Sequence, residues 1–585
     1  MRFLLVAVNA KYIHSNPAVY SLRAYAGQKL QEYIDLAEYT INMQMQDILA
    51  DIYQRKPDAV GFSCYIWNWN LIRELLAELP KLLPGTDVWL GGPEVSFHAL
   101  SLLREQQGLK GIMIGEGEET FRELLQWYVD GGSEDGLRQI AGLCLPGGYT
   151  PERTLTDLSK IPFLYHDLDV FSNRIIYYES SRGCPYRCSY CLSSIDKKVR
   201  LRDLETVKKE LQFFLDNQVK QVKFVDRTFN CDHDHAMGIW QYIYEHDNGV
   251  TNFHFEISAD ILREDEIALL QKFRPGLAQL EIGVQSTNPQ TIKAIDRVMN
   301  VGRLENIVRA IHQGQNIHQH LDLIAGLPYE DYDSFVMSFN RVYGMHPEQL
   351  QLGFLKVLKG SPMERKAEEY GIVHLDRPPY EVLYTKWLSY EEILRLKQIE
   401  EMVELYYNSN QFTATIPFLE KAFEHPFAFY EALAEYYREE GYFVESPARI
   451  YRYRVLLEFA LKWDGQHAEC YRELLTYDMY LRENLKSRPE FAADLWQQES
   501  AKAFMRDFYR REEQERSHLP GYEDYDRKQM SKMTHMEPFR YPVWDHERMA
   551  EARECEEVCY VLFDYKNRNP LTYDAGIQVI SETQE

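Results

Sequence analysis

Three of the nine cysteines in this 585-residue chain fall within eight residues, as Cys184, Cys188 and Cys191 of the segment SRGCPYRCSYC (181–191). The C-x3-C-x2-C spacing constrains the chain more than any other feature. Three thiolates on one short loop can converge on a single soft metal centre. Four cysteines would close an iron–sulfur cluster; three leave one iron without a protein ligand, open to bind and polarise a substrate or cosubstrate. Two plainer readings stand beside this one. A structural zinc site wants a fourth Cys or His at a paired spacing, and His233 and His235 lie too far along to be convincing mates. Three ordinary thiols would not be expected to cluster in a chain with so few. Nine cysteines are also too few for a disulfide scaffold.

The motif sits inside a larger rhythm. Residues 3–9 form a largely continuous apolar run, as in a strand buried on both faces. Residues 17–30 read as a helix, with Asn16 as N-cap and Pro17 at the first helical position. Strand signals follow at 33–41, 59–65, 88–92 and 111–115, with helices at 71–83, 96–105 and 118–128. This alternation predicts an α/β domain over 1–130, an open, doubly wound parallel sheet with helices on both faces. Residues 131–172, with GGSEDG and PGG, read as a loop-like connector.

A second series gives strands at 175–179, 221–225, 252–257, 278–284, 317–324 and 349–357, with amphipathic helices between them, such as 204–215. Six βα units over 173–362 predict a partial (β/α)6 TIM-type barrel, with the cysteine segment at the C-terminal end of its first strand, where barrel chemistry sits. Over 363–585 strand signals fade. Tyr, Glu, Arg and Leu recur at helical spacing, as in 390–406 and 427–440, which predicts a mostly helical domain. Residues 510–550 read as polar and partly irregular, and 554–574 as a short helix or strand with a hairpin.

Charge narrows the function classes. With 65 Lys+Arg against 90 Asp+Glu the formal charge is −25, which argues against a non-specific nucleic-acid binder. No apolar run approaches the ~20 residues of a membrane span. The opening MRFLLVAVNAKY reads as a buried strand and not as a signal segment, so a cytoplasmic location is expected.

The cysteine motif, with the aromatic Tyr190 just before the last cysteine, resembles the radical S-adenosylmethionine (AdoMet) superfamily. The resemblance covers about residues 170–365 and implies that Cys184, Cys188 and Cys191 hold a [4Fe–4S] cluster. The free iron then chelates AdoMet, and one electron cleaves it to methionine and a 5′-deoxyadenosyl radical. Later segments fit in order. KFVDRTFN (223–230) closes the second strand, where the family places a polar residue near the AdoMet amino group; Asp226 takes that place, although the usual form is Gly-Gly-Glu. EIGVQS (281–286), with Glu281 and Gln285, is similar to the region facing the ribose and methionine ends. DLIAGLP (322–328), with Gly326, is similar to the turn near the adenine. Each alone reads as a barrel strand end with a satisfied carboxylate; the matches in order are what carry the resemblance.

The first domain carries Ser63 in GFSCYIW (61–67), Gly91 and Gly92 in LGGPE (90–94), and Gly115 in GEGE (115–118), all at strand C-termini. Such loops form the binding crevice of an open sheet. Glycines there let a bulky ligand approach the backbone, or simply make tight turns. The layout is similar to the cobalamin-binding domain fused ahead of many radical AdoMet enzymes, and implies cobalamin as a further cofactor. One family feature is missing. His14, in YIHSNP (12–17), has no Asp two before it and no Gly three after it, so it reads as a loop histidine and not a cobalt ligand.

The resemblance implies an enzyme whose default reaction is methyl transfer to an unactivated carbon, with an electron donor such as flavodoxin or ferredoxin. Cyclisation or rearrangement, with or without cobalamin, is the rival within the class, and a non-catalytic iron–sulfur sensor is the rival outside it. Remaining features have plainer readings: Cys555 and Cys559 as thiols sharing a helix face, and Cys231, His233 and His235 as a polar helix start.

Overall fold

A computed structural model describes residues 1–106, 108–496 and 499–581. The chain forms two compact units. One comprises Met1–Gly314, Ile324–Tyr332 and Gly353–Tyr390; the other comprises Gln315–Leu323, Asp333–Leu352 and Glu391–Glu585.

The first unit begins with a seven-stranded sheet. Its strands are β1 (Phe3–Asn9), β2 (Ile34–Thr40), β3 (Ala59–Ser63), β4 (Asp87–Gly91), β5 (Leu109–Met113), β6 (Leu143–Leu145) and β7 (Gly148–Tyr149). They lie in the order β2-β1-β3-β4-β5-β6-β7. The first five are parallel, and β6 and β7 extend the β5 edge as an antiparallel hairpin. All seven residues of β1 are buried, and the packing shows why. Successive side chains point to opposite faces. Leu4, Val6 and Val8 pack with Ile48, Ile52, Ile72 and Leu75 on one face. Phe3, Leu5 and Ala7 pack with Val19, Phe121 and Leu124 on the other. Neighbours run away from β1 in both directions, to β2 and to β3, so the loops leaving β1 and β3 diverge and open a crevice at their C-terminal ends.

Asn16 caps the first helix as expected, accepting from the Ala18 N–H, with Pro17 at the first position. The expected 17–30 helix is two, Pro17–Tyr25 and Gln28–Gln31, because Gly27 turns at φ 79°. Helix Met45–Arg55 was not anticipated; it buries only Ile48 and Ile52. Residues 131–172 are less irregular than their composition suggests, since they hold the β6–β7 hairpin.

The second series starts with β8 (Ile176–Tyr178), followed by the short β9 (Ser181–Arg182) and β10 (Arg200–Leu201), then β11 (Gln221–Phe224), β12 (Asn252–Ile257) and β13 (Ala278–Gln285). Strands β8, β11, β12 and β13 are adjacent and parallel. Helices Leu204–Asp216, His233–Glu245 and Glu264–Leu270 connect them. Strands β14 (His318–Ala325) and β15 (Gln349–Phe354) follow in the chain, with most of their residues in the second unit. Along β13 buried and half-buried positions alternate. Leu280, Ile282 and Val284 are buried, while Glu281, Gly283 and Gln285 occupy the other face.

A small hairpin of β16 (Val373–His374) and β17 (Val382–Tyr384) also lies in the first unit. The second unit is mostly helical, including Pro426–Glu439, Tyr451–Asp464 and Ala468–Arg482. It also holds an antiparallel sheet of β18 (Thr534–Phe539), β19 (Cys559–Asp564) and β20 (Gly576–Ser581). Polar residues 510–550 are therefore more regular than expected: Phe508, Tyr509 and Met530 pack with Met536, Tyr560 and Leu562. Cys555 and Cys559 do not share a helix face. Cys559 opens β19 opposite Phe539, and Cys555 lies in the irregular segment before it, its N–H bonded to the Arg540 carbonyl. Among the described residues no helix is long and apolar enough to cross a membrane.

Candidate active site

The cysteine loop is closed at its base. Strand β9 pairs antiparallel with β10, so the chain leaves and returns at one place. Gly183 turns at φ 99°, and a Cβ there would stand 2.4 Å from the Lys198 carbonyl oxygen, which leaves glycine as the fitting residue. The Cys184 N–H donates to the Asp196 carbonyl at 3.2 Å, and the Cys191 N–H to the Cys188 carbonyl at 3.1 Å. Ser189 pins the loop from both sides: its N–H donates to the Ile295 carbonyl and its carbonyl accepts from the Met363 N–H, each at 2.8 Å. All three thiols are free; Cys184 and Cys188 are buried and Cys191 is half-buried.

Arg297, which the sequence reading missed, completes this environment. Its guanidinium lies 3.2 Å from the Tyr190 hydroxyl and 3.8 Å from Cys188 Sγ, and also donates to the Gly283 carbonyl. Burial pushes the Cys188 thiol up, and the Arg297 charge opposes it. Burial also raises the Tyr190 phenol, so it stays a neutral hydroxyl. A lone arginine eleven residues after Ser286 carries no periodic signal, and only the fold brings it to the cysteines.

Asp226 is fully buried and accepts three hydrogen bonds, from the Ser180 N–H at 3.0 Å, the Ser180 hydroxyl at 2.7 Å and the Ser181 hydroxyl at 2.5 Å. It fixes the chain between β8 and β9, just ahead of Cys184. Burial outweighs the three donors and pushes its carboxyl up to about 6. A carboxyl raised in this way binds its proton more tightly folded than unfolded. Its share of stability is therefore present at low pH and lost as pH rises through about 6. Asp226→Ala leaves three donors without an acceptor and is expected to cost roughly 2–5 kcal/mol. Thermal unfolding checks this, with the iron content of the purified protein falling in step; an unchanged melting temperature would contradict it.

Glu281 faces His254 at 2.9 Å and Lys223 at 3.1 Å. Burial alone would raise its carboxyl; the hydrogen bond with His254 and the charge of Lys223 overcome that and hold it at about 2. Gln285 ends β13 in the left-handed region at φ 70°, and its amide nitrogen lies 2.3 Å from where a Cβ on Gly283 would stand. The Ser286 hydroxyl donates to Glu330 at 2.6 Å. Gly326 turns at φ 88° against Val382, which lies 2.7 Å from the position of a Cβ.

In the first sheet Ser63, at the end of β3, accepts from the Asn16 amide at 3.3 Å and stands beside Gly91 in register. Gly92, at φ 109°, is fixed by the chain itself, since a Cβ would stand 2.5 Å from the Cys64 carbonyl oxygen. Gly91 meets nothing closer than 3.6 Å, and Gly115, at φ 76°, faces open space. Tyr65 and Trp67 stack with ring centroids 4.3 Å apart at the β3 end, and Trp67 is 44% exposed. His14 Nδ1 lies 2.6 Å from the Tyr177 hydroxyl, in keeping with its reading as a loop histidine.

The GEGE turn has a role that sequence did not show. Glu118 accepts from Arg182 at 2.9 Å, and Arg182 also holds Glu179 at 2.8 Å. Glu116 accepts from Arg200 at 3.1 Å and lies 3.4 Å from Arg182. Burial would raise the Glu116 carboxyl, but Arg200 and Arg182 bring it to about 2. The turn after β5 is thus bolted to β9 and β10, the base of the cysteine loop.

The donor set suits a cluster with one open iron: three thiols on a pinned loop, with a cation beside one of them. Ser189 Oγ, Gln285 Oε1 and Arg297 Nε are buried and lack hydrogen-bond partners, as fits a polar ligand between β13 and the loop.

Comparison with known proteins agrees with this geometry. Residues 178–342 match the radical SAM superfamily, 4–125 match the B12 binding domain, and 368–563 match a protein of unknown function (DUF4080). The chain is 28% identical over 353 residues to 2-(S-pantetheinyl)-carbapenam-3-carboxylate methyltransferase from Streptantibioticus cattleyicolor, covering 54% of this chain and 48% of that protein. It is 25% identical over 364 residues to the cobalamin-dependent radical SAM methyltransferase TokK from Streptomyces tokunonensis, covering 55% and 51%. It thus spans about half the length of these curated relatives. Its fold is similar to TsrM from Kitasatospora setae, solved with cobalamin and a [4Fe–4S] cluster, with a TM-score of 0.52 and 18% identity over 65% of this chain and 79% of that one. OxsB, solved with aqua-cobalamin and S-adenosylmethionine, gives 0.54 and 16% over 87% and 75%. The cofactors of the two matched domains are a [4Fe–4S] cluster with AdoMet and cobalamin.

Proposed function

We propose that this chain, a radical SAM domain joined to a B12-binding domain, is a cobalamin-dependent methyltransferase acting on an unactivated carbon. One observation carries the reading: the loop of Cys184, Cys188 and Cys191, closed at its base, is bolted through Arg182 and Arg200 to the crevice-side turn of the first sheet. When bound, the cluster supplies an electron for AdoMet cleavage and cobalamin supplies a methyl carrier.

The chain's residues have separate tasks. Cys184, Cys188 and Cys191 ligate three irons. Arg297, with its unpartnered Nε, would hold the AdoMet carboxylate and opposes the upward push of burial on the Cys188 thiol, while Tyr190 orients the guanidinium. Gln285 offers its unpartnered Oε1 to a donor of AdoMet. Glu281, ionised at neutral pH, holds the Lys223 and His254 side chains in place. Gly326 shapes the turn beside the adenine. Asp226 acts at one remove, by fixing Ser180 and Ser181. Ser63, Gly91, Gly92 and Gly115 line the corrin side, with the Tyr65–Trp67 stack as its flat aromatic surface. Residues 1–130 hold the corrinoid, 131–172 connect, and 173–362 hold cluster and AdoMet. A flavodoxin or ferredoxin of the cytoplasm delivers the electron.

Incubating cluster- and corrinoid-loaded protein with AdoMet and a strong reductant tests the reading. S-adenosylhomocysteine in amounts matching the corrinoid, before any substrate is added, is the expected product of methyl loading. 5′-Deoxyadenosine without S-adenosylhomocysteine would leave a radical enzyme but reject methyl transfer.

A further inference from the structure

The polar run after β11 splits three ways. Cys231 stays near the cysteine site, where burial, with the charge of Cys184 adding to it, pushes its thiol up to about 11. His235 turns inward, its Nε2 3.2 Å from the Ser180 hydroxyl. His233 turns the other way, toward the helix that follows β12. Its Nε2 lies 3.2 Å from Asp265 Oδ2 and its Nδ1 lies 3.4 Å from Glu266 Oε1.

We infer that His233, Asp265 and Glu266 form a second metal site, separate from the cysteine loop, that takes one zinc-type divalent cation. One ligand atom from each residue falls within 4.8 Å of the others. Ligand atoms bound to one ion at about 2.1 Å sit roughly 3.0–3.4 Å apart, close to the two spacings seen. The second observation is Glu266 itself. The residue is 2% exposed, its Oε2 accepts from the Arg263 N–H at 2.7 Å, and its Oε1 is buried without a hydrogen-bond partner. His233 Nδ1, facing it, is likewise buried and without one. One divalent cation between this carboxylate oxygen and the imidazole nitrogen facing it satisfies both at once. An imidazole with two carboxylates selects a borderline transition ion over magnesium or calcium. Asp265, whose side chain is 56% exposed, leaves the ion reachable from solvent, so three protein ligands and an open position describe the site. An ion here ties the helix after β11 to the helix after β12. The competing arrangement is an imidazolium bridging two carboxylates, with no metal.

The test uses the full chain with its cluster loaded, so that the three cysteines are occupied. The protein is treated with a mild chelator, incubated with zinc chloride, desalted, and its zinc and iron are measured together. One zinc per chain is expected in the wild type, with a zinc-dependent rise in melting temperature. His233→Gln and Glu266→Gln should each weaken retention at least about tenfold while iron stays unchanged. Asp265→Asn, at an exposed position, gives a third variant if a buried substitution unfolds the protein. Equal zinc in the wild type and all variants would overturn the site, as would no zinc retained by the wild type, which would leave an ion-paired histidine.

Discussion

Cys188→Ala is expected to give a folded protein that holds no [4Fe–4S] cluster and forms no 5′-deoxyadenosine. The loop is shaped by the turn at Gly183 and by backbone bonds through Cys184, Ser189 and Cys191, none of which uses the Cys188 side chain. Removing one sulfur should leave the melting temperature of the cluster-free protein nearly unchanged. The cluster is another matter, because three thiolates are the minimum that leaves a single iron open. AdoMet cleavage should fall by about 10³-fold or more, the scale seen when a group that acts as part of a unit is lost. Iron and sulfide analysis beside a 5′-deoxyadenosine assay reads both effects. An intact cluster in the variant would contradict the assignment of these three residues.

Arg182→Met is expected to destabilise the first unit strongly. Arg182 is half-buried among Glu116, Glu118 and Glu179, with side-chain exposures of 21% for the arginine and 15%, 7% and 29% for the three acids. Methionine fills much of the volume but leaves the acids without their shared cation. Removing one partner of such a buried pair costs about 3–5 kcal/mol. The loss has two functional consequences, because Arg182 stands two residues before Cys184 and Glu118 three after Gly115. Iron retention and corrinoid retention should fall together. Adding Glu118→Gln to Arg182→Met should recover part of the lost stability, since it removes one of the stranded charges. Denaturant unfolding of the single and double variants checks both statements. A single variant within about 1 kcal/mol of the wild type would show that the turn after β5 is not held as described.

Comparison of particular elements shows what sequence can and cannot carry. Strand β1 is legible because burial on both faces demands an unbroken apolar run, and Phe3–Asn9 is one. The cysteine loop is legible because three ligands must come from one short segment. Helix Met45–Arg55 is not, because it covers the sheet with little more than Ile48 and Ile52 and its remaining residues are polar. The GEGE turn is the most instructive case. Its glycines read as room for a cofactor, and Gly115 does face open space, but Glu116 and Glu118 meet arginines 84 and 64 residues away. Pairing at that range leaves no local pattern. Arg297 escapes for the same reason. Cys555 and Cys559 mislead in the other direction: a four-residue spacing suits a helix, yet pairing with β18 makes Cys559 the first residue of a strand.

A radical SAM domain joined to a B12-binding domain should hold both a cluster and a corrinoid in one chain. Anaerobic purification after growth with cobalamin, with iron, sulfide and corrinoid measured on the same sample, tests that most directly. About four irons, matching sulfide and one corrinoid per chain are predicted. Four irons with no corrinoid, even after reconstitution with excess cobalamin, would contradict it.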